Sequence, residues 1–151
     1  MKRENEEKII IDGKKFKIAI AVSKFNSDMT EEMLNGALET LAENGVKKDN
    51  IKIVWVPGSF ELPLACQKLA ETKKFDGIVA IGCVIKGETN HYHYISGETT
   101  RGIMEVMLKY SIPVGFGVIT ANTIEQALAR SYGENSKGRE AAQAVLEMVA
   151  L

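Results

Sequence analysis

Four runs rich in valine and isoleucine recur along the chain, Phe16 to Val22, Ile51 to Val56, Phe75 to Ile85 and Val114 to Thr120, and each is of strand length. Apolar runs of this kind predict strands buried on both faces, as in a parallel sheet. Parallel neighbours cannot be joined by a tight turn; each pair needs a crossover of about a dozen residues or more, usually a helix. The stretches between the runs supply them. Met33, Leu34, Ala37, Leu38, Leu41 and Ala42 fall on one helical face, and Asn44-Gly45 ends that helix. Further helices are predicted over about 61–72, 94–110 and 123–130, and from Gly138 to the C-terminus, where Ala141, Ala142, Val145, Leu146 and Val149 make one apolar face. Asp28 with Glu31, and Thr123 with Gln126, are spaced as capping boxes and mark helix starts.

Strands alternating with helices give βαβ units, with helices on both faces of the sheet. The predicted fold class is α/β: a three-layer α/β/α sandwich around a central four-stranded parallel sheet, a flavodoxin-like arrangement. At 151 residues folding can bury roughly two-thirds of the unfolded chain's surface, so the core needs no disulfide or metal staples. No linker, repeat or low-complexity segment divides the chain, and residues 1–151 read as one domain with 1–12 as an N-terminal arm. Within the arm, Ile9 to Ile11 followed by Asp12-Gly13 has the pattern of a short extra strand, and the charged residues before it suit the sheet edge of a neighbouring subunit.

Charge and cysteine content narrow the function. Lys and Arg total 19 against 20 acids, a net charge of -1, with no long block of one sign, which argues against nucleic acid or a membrane surface as partner. Cys66 and Cys83 sit inside apolar stretches and read as buried thiols in a reducing compartment. No export signal or membrane span is expected, so the predicted location is cytoplasmic.

In open parallel sheets ligands bind beyond the carboxyl ends of the strands, so the segments after each run hold the candidate chemistry. After the first comes Ser23-Lys24-Phe25-Asn26, in which Phe25 either stacks on a flat heterocycle or plugs the sheet end. After the second stands VPGSFELP, residues 56–63, where Ser59 and Glu61 either hold ligand hydroxyls or simply cap the next helix. Ser59 is no hydrolase nucleophile, because the G-x-S-x-G elbow is absent. The third run leads into GCVIKGETNHYHYIS, residues 82–96, which contains both histidines. In an extended loop His91 and His93 would point the same way and invite a metal with Glu88, but no other His or Cys completes such a site, and a proton-transferring histidine fits better. Gly87, Glu88 and Thr89 lead into a helix start that suits a phosphate. Beyond the fourth run, Arg130 and Lys137 are cations suited to an anion or to a solvated surface. Gly115-x-Gly117 lies within an apolar run and is not a dinucleotide fingerprint.

Taken together, SKFN at 23–26, VPGSFELP at 56–63, GCVIKGETNHYHYIS at 82–96, FGVIT at 116–120 and EQALAR at 125–130 resemble the lumazine synthase family over nearly the whole chain. The resemblance implies an enzyme, a transferase that condenses 5-amino-6-(D-ribitylamino)uracil with L-3,4-dihydroxy-2-butanone 4-phosphate to 6,7-dimethyl-8-ribityllumazine, the penultimate step of riboflavin biosynthesis. It implies no cofactor and no metal. By position, Phe25 stacks on the pyrimidine; Ser59, Phe60 and Glu61 line the ribityl chain; the backbone of Cys83, Val84 and Ile85 binds the ring edge. Glu88 and Thr89 bracket the phosphate and His91 transfers protons. Phe116, Lys137 and Arg130 match residues supplied by a neighbouring subunit, with Arg130 on the phosphate. The implied assembly is a homopentamer, in some members a shell of twelve pentamers that can enclose a riboflavin synthase partner, and the short connection around Gly133 to Gly138 favours a shell.

Three positions depart from the family pattern. His93 stands where relatives usually carry an acid, Phe60 where some carry Trp, and the Arg130 to Lys137 spacing is one residue shorter. Two rivals share part of the pattern: an archaeal-type riboflavin synthase, which needs no butanone phosphate site, and a non-catalytic flavin- or lumazine-binding shell protein, which can dispense with His91.

Overall fold

The computed structural model describes residues 9–151. Its four strands, β1 (Ile18–Ser23), β2 (Ile51–Val56), β3 (Gly77–Ile85) and β4 (Val114–Ala121), form one parallel sheet in the order β2-β1-β3-β4. They are joined by α1 (Ser27–Glu43), α2 (Leu62–Glu71) and α3 (His91–Tyr110), and β4 is followed by α4 (Ile124–Ala129) and α5 (Lys137–Val149). Registers such as Ser23 opposite Val56 and Ile85 opposite Ala121 bring the carboxyl ends of all four strands to one end of the sheet. This is the expected three-layer α/β/α sandwich.

Alternation along the central strands divides the core in two. Ile18, Ile20 and Val22 of β1 and Val79 and Ile81 of β3 pack against Met33 and Leu41 of α1 and Val145 and Leu146 of α5. On the other face Ala19, Ala21, Ile78 and Ala80 meet Leu62 and Cys66 of α2 and Ile103 and Val106 of α3. Each fully buried Ile or Leu contributes roughly 1.5–3 kcal/mol relative to exposure, so the layers hold by ordinary apolar burial. The glycines of the fourth run have a packing reason. A Cβ on Gly115 would lie 2.3 Å from the Ala141 carbonyl oxygen, so β4 lets the α5 backbone approach directly.

Several expectations are corrected. Asp28 does not cap α1: the helix starts at Ser27, after Asn26 in the left-handed region (φ 59°), and the Asn26 carbonyl accepts the N–H groups of Met29 and Thr30. Thr123 does cap α4, accepting from the Gln126 N–H, while the Gln126 side chain accepts from the N–H of Asn122. Strand β2 is not fully buried; it is a sheet edge, with Ile53 and Trp55 exposed. Residues 9–11 form no strand. Their backbone is held by side chains instead, the Ile11 N–H donating to Asn44 Oδ1 at 2.7 Å and the Ile9 carbonyl accepting from Gln143 Nε2 at 3.0 Å. The charged part of the expected arm, Met1 to Lys8, lies outside the described residues.

Candidate functional site

The connection from β1 runs to β2 on one side, whereas β3 leads to β4 on the other, so the chain reverses direction across the sheet between β1 and β3. Loops diverge at such a point and leave a crevice at the carboxyl ends of the strands. A cleft of about 590 Å³ opens there, lined by residues that follow β1, β2 and β3 and by the start of α3. Phe25 stands on its rim, 70% exposed. It does not plug the sheet. Its loop is pinned below, the Lys24 and Phe25 N–H groups donating to the carbonyls of Val56 and Pro57, so an apolar ring is held out over the cavity by fixed backbone. Asn26, not singled out as a site residue from the sequence, donates from Nδ2 to the Cys83 carbonyl at 2.9 Å and ties this loop to the end of β3. The only signal for it was an amide beside an aromatic residue in a loop.

The segment after β2 turns at Pro57-Gly58 and makes a single 3-10 turn, Ser59–Glu61, before α2. Ser59 does not cap that helix through its side chain. It is buried, and its hydroxyl has no protein partner, the only such buried side-chain atom among the described residues. A buried hydroxyl without a partner is costly; Ser59 belongs to the cleft wall, with this hydroxyl turned in toward the sheet. The space for it is made by Gly82: a Cβ there would lie 2.4 Å from Ser59 Oγ. Phe60 and Glu61 follow on the same wall, exposed. Glu61 folds back over the turn, Oε2 standing 3.3 Å from where a Cβ on Gly58 would be, with Phe25 Cβ 4.0 Å from the same point.

The floor is the end of β3, with Cys83 and Val84 buried and Ile85 half-buried. Burial pushes the Cys83 thiol up to about 11, so it is neutral near pH 7 and offers no nucleophile. Of the loop that follows, Gly87 and Thr89 line the cleft, while Glu88 does not. Thr89 Oγ1 accepts from the His91 N–H at 3.3 Å, so its hydroxyl shapes the entrance to α3. The helix begins at His91, three residues before the expected start, and this alters the reading of the two histidines. Two residues apart on a helix they face different sides. His91 lines the cleft; His93 is turned away and stands edge-on to the Tyr92 ring, with centroids 5.3 Å apart. The shared direction on which the metal alternative rested is absent.

Phe116, Arg130 and Lys137 do not line this cleft. Phe116 lies on the edge strand β4, on the same face as Val114 and Val118 but exposed. Arg130 and Lys137 are brought together, the Lys137 N–H donating to the Arg130 carbonyl at 2.9 Å. Arg130 Nη1 donates to the Gln126 carbonyl and Lys137 Nζ pairs with Glu140. Within one chain the cleft therefore holds the aromatic ring, the hydroxyl, the carboxylate and one histidine, while the expected cations lie elsewhere. Among the described residues no helix is long and apolar enough to cross a membrane. The family model described as 6,7-dimethyl-8-ribityllumazine synthase matches residues 15–151, a stretch that includes every loop of the cleft.

Proposed function

Because the chain belongs to the 6,7-dimethyl-8-ribityllumazine synthase family, we propose that it condenses 5-amino-6-(D-ribitylamino)uracil with L-3,4-dihydroxy-2-butanone 4-phosphate to 6,7-dimethyl-8-ribityllumazine. The observation that carries the reading is the pairing, in one cleft, of the exposed Phe25 ring with the exposed Glu61 carboxylate. A flat ring carrying a polyhydroxylated chain matches that combination: the ring stacks on Phe25, and the chain runs along the turn that Ser59 begins, its hydroxyls donating to Glu61. The polar backbone at Cys83 to Ile85 faces the ring edge, Phe60 covers the chain, and Thr89 with Glu88 borders the phosphate.

The 5-amino nitrogen attacks the ketone and the adduct loses water to give an imine. Loss of a proton from the neighbouring carbon lets inorganic phosphate leave, and the resulting enol returns to a carbonyl. The ribityl-bearing nitrogen then attacks that carbonyl, and a second water departs as the ring closes. Each step needs protons moved, not an electron sink. His91 at the cleft rim takes and returns them, and most of the remaining acceleration comes from holding two substrates together. Arg130 and Lys137 of an adjacent copy complete the site from the other side, with Phe116 of that copy against the pyrimidine. The active form is a homopentamer at least.

Mixing the protein with both substrates and following lumazine absorbance and fluorescence above the spontaneous rate tests this directly. Catalysed formation is expected. Tight binding of the pyrimidine without acceleration would replace the proposal with a binding protein.

A further inference from the structure

Helix α3 carries three hydroxyl side chains close together, and they are used differently. Ser96 donates to the Tyr92 carbonyl at 2.6 Å and Thr100 to the Ser96 carbonyl at 2.7 Å, each bonding back to its own helix one turn earlier. Thr99, fully buried between them, leaves its helix and donates to the carbonyl of Ser59 at 3.0 Å, 40 residues away in the chain. The same carbonyl accepts the Leu62 N–H that closes the 3-10 turn. Both of its acceptor positions are thus filled, and the peptide plane between Ser59 and Phe60 is fixed from two sides. The Ser59 hydroxyl is turned in against Gly82, and the turn so fixed carries Phe60 and Glu61 on the cleft wall.

We propose that Thr99 is a positioning residue for recognition of the polyhydroxylated chain: by holding the Ser59 carbonyl, its buried hydroxyl keeps the turn in the place from which Phe60 and Glu61 meet the ligand. This rests on the reading of the cleft as a site for a ribityl-bearing pyrimidine. Thr99 touches no substrate. It links the helix that begins with His91 to the turn that reads the chain, so its loss affects recognition of the chain and leaves the ring subsite at Phe25 intact.

The test uses two stable probes: a 6-(ribitylamino)uracil without the reactive 5-amino group, and the same uracil with methylamino in place of ribitylamino. The wild-type protein is expected to bind the first more tightly than the second. In Thr99→Val that ratio of dissociation constants should fall about fivefold, the size of one neutral hydrogen bond, with the methylamino probe bound as before and Thr99→Ser retaining the wild-type ratio. If Thr99→Val does not fold, Thr99→Ser against Thr99→Ala makes the same comparison, since these differ only in the hydroxyl. An unchanged ratio in the variant without the hydroxyl, or equal weakening of both probes, overturns the role of Thr99 while leaving the cleft assignment standing. No preference for the ribityl probe in the wild type overturns the cleft assignment itself, and Thr99's role with it.

Discussion

His91 is the first residue of α3 and lines the cleft beside Tyr92 and Thr89. In the proposed site His91 carries protons, whereas the ring and the chain of the pyrimidine are held by Phe25 and by the turn with Glu61, other residues of the same cleft. His91→Ala should therefore slow lumazine formation by on the order of a hundredfold and leave pyrimidine binding nearly unchanged; complete loss of turnover with assembly intact would contradict this division of work. The two thiols make a different prediction. Burial pushes Cys66 up to about 12 and Cys83 up to about 11, from an ordinary value of 9.0. Below that value both states of the protein keep these protons and pH has no effect through them. Above it the unfolded chain holds fewer protons than the folded one, so stability falls as pH rises. The urea midpoint is expected to hold steady from about pH 7 to 8.5 and to decline between about pH 9 and 11, and Cys66→Ala should flatten that decline. At this scale the sequence was legible for side chains whose chemistry does not depend on direction, such as the buried thiols; it left Phe25 between a stacking ring and a plug, which its 70% exposure decides. It left Ser59 between a ligand group and a helix cap, because a serine followed two residues later by an acid looks the same whether it caps a helix or lies buried over Gly82.

At the level of elements, β1 and β3 were legible because every position in them but Ser23 is apolar, and burial on both faces demands such a run. The start of α3 was not. His91, Tyr92 and Ile95 line the cleft while His93 and Tyr94 are exposed, so no buried stripe runs through this turn and the helical period fades where the site begins. The junction of α1 with α5 shows how tightly the outer layer is set. Gly138, at the second residue of α5, lies against α1 so closely that a Cβ would stand 1.9 Å from the Met33 carbonyl oxygen. Nearby, Arg139 reaches across to Glu39 and Glu43, exposed pairs that contribute little by comparison. Backbone cannot yield as a flexible side chain does. Gly138→Ala should separate the two helices and cost about 3 kcal/mol, read as a lowered urea midpoint with an unchanged slope, whereas Arg139→Ala should shift it by less than about 1 kcal/mol.

On the scale of the whole molecule, the unequal distribution of chemistry matters most. One chain gathers Phe25, Ser59, Glu61 and His91 around a cleft, and keeps Arg130 and Lys137 together away from it beyond the edge strand β4. A phosphate-bearing substrate finds no guanidinium among the residues that line that cleft, and in the proposed reaction a cation of another copy supplies it. The sequence carried the strings of both halves, but no spacing along a chain says whether two of its segments meet within one copy or across a subunit boundary. Sharing of this kind has a genetic signature. His91→Ala damages the cleft half alone, and Arg130→Ala the cation half alone. When the two variants are co-expressed and assemble at random in a closed ring, about one junction in four joins an intact cleft to an intact cation half. Activity in the mixed assembly should therefore return to about a quarter of the wild-type value per site, well above the mean of the two variants measured separately. If instead each chain completed its own site, mixing would give no more than that mean, and the cations beyond β4 would have to be assigned to something other than the phosphate.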